Sequence, residues 1–235
     1  MPFSTYRHRR TLLKGLLVGS TTLAAGPLLT SCATFGRSPR GFVEIQGEVR
    51  LDGRLVKEGT AWDGAGKLST GPRARAILVA GDDAFLLHEL TEIEFPARSV
   101  ASVSLISTAQ ADAISTIYLV RGKLLAVFRP GDERRLMTPV ASIGIRGTGL
   151  YLETNAEKSY LCTCYGTIDL ESRTDPNVRE SLTTQHHEAP RFLYRGIDKE
   201  SARLEKAPML GHTDEELLRL EAAVGRKPPF AHSSY

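Results

Sequence analysis

The chain has 235 residues, with 30 basic and 27 acidic side chains, 41% hydrophobic residues and three cysteines. Four of the basic residues (Arg7, Arg9, Arg10, Lys14) fall in the first 31, which hold no acid, so the rest is near neutral at 26 against 27. A near-neutral body lacks the basic footprint of a nucleic-acid binder, and so few cysteines exclude a disulfide scaffold.

Residues 1–31 read as an export signal. A basic start is followed by a modest apolar stretch, Leu12 to Leu29, diluted by Gly15, Gly19, Gly26 and Pro27. Those interruptions leave it short of the roughly 20 continuous apolar residues that a bilayer span needs. "HRRTLLK", carrying Arg9 and Arg10, resembles the twin-arginine motif, an address read on proteins exported already folded. "LLTSC" then resembles the lipobox of bacterial lipoproteins, which implies lipidation at Cys32 and anchoring to a membrane from the periplasmic side. Ala33 follows the cysteine, and the inner and outer membranes both stay open. Residues 32–41 read as a tether.

From 42 to 185 one strand signal follows another. "FVEIQGEVRLDG" alternates apolar and polar residues and ends on Asp52-Gly53, a hairpin turn. "ARAILVAGDDAFLLHE" is two strands around a Gly-Asp-Asp turn, in which Asp82 and Asp83 read as solvated turn residues. "EIEFPA" is a short strand, and residues 100–114 are ambiguous between loop and insertion. "STIYLVRGKLLAVF" reads as strand, Arg121-Gly122 turn, strand; Pro130-Gly131 marks another turn. "SIGIRGTGLYLETNAEKSYLCTCYGTIDLES" gives further strands around a Gly-rich corner and an Asn155-Ala156 turn. Short strands without helical period predict an all-β domain.

Residues 171–211 are polar and predict loop with one late strand at "RFLYRG"; 186–235 reads as connector and C-terminal helix. Thr213 with Glu216 three residues on is a capping box, Leu217, Leu220 and Val224 share a face, and Gly225 marks the stop.

The run "MTPVASIGIRGTGLYLE", with weaker matches in "LSTGPRARAIL" and "LVRGKLLAVF", resembles the FecR family domain over about residues 43–185. The resemblance implies an all-β, roll- or solenoid-like extracytoplasmic module that binds or scaffolds an envelope protein, glycan or small ligand and does not catalyse. With the export signal standing first, the family's restraint of a sigma factor is not expected to carry over. Arg146, Gly147 and Thr148 form the corner of this run. No Lys-Ser/Thr follows the glycines, so a tight structural corner is expected there rather than a phosphate cradle.

The remaining chemistry lies in two cysteines and three histidines. Cys162 and Cys164 are two apart in a strand, so both thiols face one side, with Cα atoms about 6.5–7 Å apart, at or past disulfide reach. Plain packing, a strained redox pair and metal ligation all stay open. Cys162, Cys164, His187 and His212, with His186 as substitute, would compose a Cys₂His₂ zinc site; thiolate and imidazole also suit haem or copper. The spacing matches no standard finger. No Gly-x-Ser-x-Gly, His-Glu-x-x-His or Walker motif is present, and no enzyme is expected.

Overall fold

The structure is a computed structural model that describes residues 40–97, 116–196 and 201–232. The export signal with Arg9 and Arg10, the lipidation site Cys32 and the ambiguous 100–114 segment lie outside the described residues. Arg40 and Gly41, expected to close the tether, already begin the first strand.

Strands dominate, as expected of an all-β chain. They are β1 (Arg40–Gln46), β2 (Val49–Leu51), β3 (Arg54–Leu55), β4 (Gly66–Thr70), β5 (Arg75–Ala80), β6 (Asp83–Leu87) and β7 (Glu92–Phe95). There follow β8 (Thr116–Val127), β9 (Glu133–Met137), β10 (Ala141–Thr154), β11 (Lys158–Ser172), β12 (Arg179–Thr184), β13 (Arg191–Tyr194) and β14 (Arg203–Lys206). One helix, α1 (Asp214–Ala223), and a 3₁₀ turn, Pro229–His232, end the described chain. No helix among the described residues is long and apolar enough to cross a membrane.

All strands join one branched sheet, in the order β14-β13-β11-β10-β9-β8-β7-β4-β2-β3, with β1, β5 and β6 branching from β8 and β12 lying on β11. Among the described strands every pairing is antiparallel except β8 with β9. That pattern favours a bent, rolled sheet over a stack of parallel coils.

The branching comes from long strands that change neighbours midway. Residues 118–121 of β8 pair β7, whereas 124–127 pair β6 and 122–127 pair β10. The change falls at Gly122, where a turn was expected and a continuous strand runs instead. Gly122 has φ +98, and an added Cβ would stand 2.5 Å from Thr91 Cα, so the chain kinks where only glycine fits. In β10, residues 142–146 pair β9 and 149–154 pair β8, with a bulge between Arg146 and Gly149.

Bending gives the sheet two buried faces. Leu78, Phe85, Leu124, Leu150 and Leu161 point into the main core. Their neighbours Ile77, Leu86, Leu125, Tyr151 and Cys162 point the other way, into a second apolar layer. Strands buried on both faces explain the unbroken apolar run of β5. α1 covers the second layer with Leu217 and Leu220, both fully buried.

Two further expectations need correction. The polar 171–211 region carries three strands, β12, β13 and β14, where a loop with one strand was expected. The polar sequences of β12 and β14 hide pairings supplied by neighbours: β12 and β13 pair with β11, and β14 pairs with β13. Asp83 is not a solvated turn residue. It is 2% exposed, ion-paired to Arg134 Nε at 3.0 Å, and accepts the Arg129 backbone N–H at 2.8 Å.

Candidate metal centre

Strand β11 presents Cys162 and Cys164 on the second-layer face, both fully buried and unbridged. After β12 the chain turns back across β11, and the His187 N–H donates to the Cys164 carbonyl at 3.0 Å. His187 adopts φ +53, a left-handed conformation that costs a non-glycine residue about 1 kcal/mol, and it aims the ring back at the thiols. The third segment arrives from β14: His212 is buried just before Thr213, the capping residue of α1.

These segments bring the four expected residues together. A donor atom from each of Cys162, Cys164, His187 and His212 lies within 4.8 Å of the others. Cys162 Sγ is 3.4 Å from His187 Nδ1, Cys164 Sγ is 3.4 Å from His212 Nε2, and the two imidazole nitrogens are 3.1 Å apart. Tetrahedral zinc with bonds of about 2.0–2.3 Å would set ligand atoms roughly 3.3–3.7 Å apart, close to this spacing.

The rings are held from behind. His212 Nδ1 lies 2.8 Å from the Leu210 carbonyl, which has only lone pairs to offer, so Nδ1 carries a proton and Nε2 is the nitrogen turned toward Cys164. His187 Nε2 lies 2.9 Å from Asp214 Oδ1, so the same reasoning places a proton on Nε2 and turns Nδ1 toward Cys162. Two ring nitrogens and two sulfurs therefore face one point, the donor set of a tetrahedral cation site. Carboxylate and carbonyl partners behind ligand histidines are the usual supporting shell of a metal site.

Protonation follows this layout. Hydrogen bonding from Cys164 comes first among the causes that pull the Cys162 thiol down to about 4, with both imidazoles contributing. Burial pushes Cys164 well above its ordinary value. Burial alone would lower His187, but Cys162 and Asp214 outweigh it and raise it. Desolvation would raise Asp214, yet His186 and His187 together hold it low.

His186, the substitute ligand, stands outside the inner set. Its Nε2 is 3.0 Å from both Asp214 oxygens, and its ring stacks on Phe230 at 4.1 Å. It lines a cleft of about 470 Å³ shared with Tyr165, Glu221 and Arg226. Tyr151, stacked on His212 at 4.5 Å, closes the far side; no pattern in the sequence singled it out.

The Arg146-Gly147-Thr148 corner takes no part in this cluster. Exposed Arg146 donates to Asp169 Oδ2 at 3.1 Å, Gly147 has φ +63 against Pro130, and buried Thr148 donates to the Thr167 carbonyl at 2.9 Å. These contacts shape a β corner.

No protein-family model matches the chain. No curated protein matches it either. Two crystal structures, at 2.50 and 1.65 Å, of a Parabacteroides distasonis protein provisionally assigned as an anti-sigma factor are similar in fold. Each is 11% identical, with a TM-score of 0.44 and 60% of this chain covered, and this chain spans 59% of their length. What the molecule presents on its own is an all-β protein with a buried Cys₂His₂ cluster.

Proposed function

We propose that the protein is a lipid-anchored, extracytoplasmic FecR-like binding or scaffolding module that holds one zinc ion on Cys162, Cys164, His187 and His212. The observation that carries the metal is the convergence of the four donor atoms within 4.8 Å, with the two inward imidazole nitrogens 3.1 Å apart and each ring held by a partner on its other nitrogen. Four donors of S₂N₂ type converging on a point suit zinc better than haem, whose macrocycle needs a flat slot, or a square-planar copper(II). All four positions would be filled by protein, as in a structural zinc site rather than a catalytic one. Such an ion would join β11, the loop after β12 and the start of α1.

The envelope part of the proposal is supported by the Arg9-Arg10 signal, Cys32 after a modest apolar stretch, and the FecR-like run around Arg146. Its partner would be an envelope protein, a glycan or a small ligand, with no nucleic acid involved.

The test is elemental analysis of the full chain purified in detergent from zinc-supplemented cells. One zinc per chain is expected, along with loss of metal in a Cys162→Ser/Cys164→Ser variant. Cobalt substitution should give the visible absorption of a tetrahedral thiolate complex. Less than a tenth of an equivalent of any transition metal would remove the site.

A further inference from the structure

The C-terminal segment is attached to the sheet in an unusual way. Ala207 N–H donates to the Pro190 carbonyl at 3.0 Å; beyond it, no backbone hydrogen bond among the described residues ties 208–232 to a strand. The segment is held by side chains alone. Tyr160 Oη donates to the Pro208 carbonyl at 3.0 Å and accepts the Leu210 N–H at 2.8 Å. At the other end Tyr165 donates to Glu221, and Arg226 bonds Glu221 at 2.7 Å and the Asp82 carbonyl. His212 stands between these two sets of pins.

The main core contains no residue later than Leu204, whereas the second layer depends on Leu217 and Leu220, with Ala223, Val224 and Phe230 packed around them. The segment can therefore leave without emptying the main core. Once detached it has little to keep it ordered, because α1 is 10 residues long, below the length at which an isolated helix persists in water.

From this we infer that the metal works as a clasp. Zinc on Cys162, Cys164, His187 and His212 closes residues 208–232 over the outer face of the sheet, and loss of zinc opens that strap while the sheet stays folded. Closure makes the strap zinc-responsive: metal supply decides whether Ile77, Val79, Leu86, Leu125 and Tyr151 are covered. This rests on the metal reading above and adds to it a regulated element. His212 is the lever, because it is the one ligand carried by the strap, and it directly precedes the Thr213 cap that starts α1.

The experiment is hydrogen exchange followed by mass spectrometry on the full chain in detergent, with zinc loaded and after chelation, and with zinc content measured on each sample. Amides of 214–224 should exchange at least about tenfold faster without zinc, as in a local opening, while β8 and β10 keep their protection. A Cys162→Ala/Cys164→Ala variant should show the fast strap at all zinc concentrations. Zinc bound but strap exchange unchanged on removal overturns the clasp alone, and so does a sheet that opens together with the strap. No zinc in the loaded sample overturns the site and the clasp together.

Discussion

His187 Nδ1 stands 3.1 Å from His212 Nε2, and the other nitrogen of each ring is already engaged, with Asp214 and with the Leu210 carbonyl. Asp214 thus acts on the site without touching its centre. It orients His187 and raises its basicity, and it occupies the first turn of α1, where its charge also suits the helix dipole.

Asp214→Ala should accordingly weaken zinc binding roughly 10- to 100-fold without changing the one-to-one stoichiometry. Competition against a chromophoric chelator measures this. Glu215→Ala is the control: it removes the same charge from the same helical turn at an exposed position. Equal affinities in the two variants would leave Asp214 a helix residue only.

The buried pair Asp83–Arg134 gives a second prediction. Both side chains are nearly inaccessible, at 2% and 4% exposure, and burial raises the Asp83 pKa despite the guanidinium beside it. Arg134→Met should cost about 3–5 kcal/mol at pH 7, because an unpaired carboxylate is left in the interior. In the variant the folded-state pKa rises further, so protonation helps the folded form. That help is complete below the unfolded pKa of about 3.9 and fades as pH climbs through the folded pKa. The deficit against wild type should therefore be smaller at pH 5 than at pH 7 by urea unfolding. An equal deficit at both pH values would mean that packing, not charge, holds the pair.

Much of the fold could be read from local pattern. The Asp52-Gly53 turn has φ +49 and +77, and the Thr213–Glu216 box is formed. The helix ends as Gly225 suggests, with Arg226 N–H on the Glu221 carbonyl and Gly225 N–H on that of Ala222. Cys162 and Cys164 share a face because the period of a strand requires it. The distances from the thiols to the histidines were not readable, since strand pairings of β12, β13 and β14 bring His187 and His212 back. β13 is legible in "RFLYRG", but β12 and β14 are too polar to announce themselves. Asp83 misled for a similar reason: its partner lies 51 residues further on, and Asp-Asp after Gly is turn chemistry by any local measure. Arg121-Gly122 misled because a positive φ serves a kink as well as a turn.

That kink is testable. Gly122→Ala meets both a φ of +98 and the backbone of Thr91 at 2.5 Å, and it should destabilise by roughly 3 kcal/mol or more. Gly53→Ala shares the left-handed backbone, at φ +77, but nothing lies within 4 Å of the added carbon, so about 1–2 kcal/mol is expected. Thermal melts of the two variants compare strain alone with strain plus collision. Similar losses would show that β8 can shift away from Thr91.

The last prediction concerns acid. Arg191 grips Glu180 with two hydrogen bonds of 2.8 Å, fastening β12 to β13 beside the turn that carries His186 and His187. This pairing is the main cause holding the Glu180 pKa below its ordinary 4.5. A depressed carboxylate contributes stability above its unfolded pKa and loses it as pH falls through the folded value. Glu180 is about a third exposed, so the contribution is discounted for solvent to about 0.5–1 kcal/mol. Wild type should exceed Glu180→Gln by that amount at pH 7, and the gap should close as pH drops below about 4.5. Protonation of the zinc ligands in the same range affects both proteins alike, so the difference between their urea midpoints isolates the ion pair. A gap that persists at pH 3 would assign the loss to geometry at position 180 instead of charge.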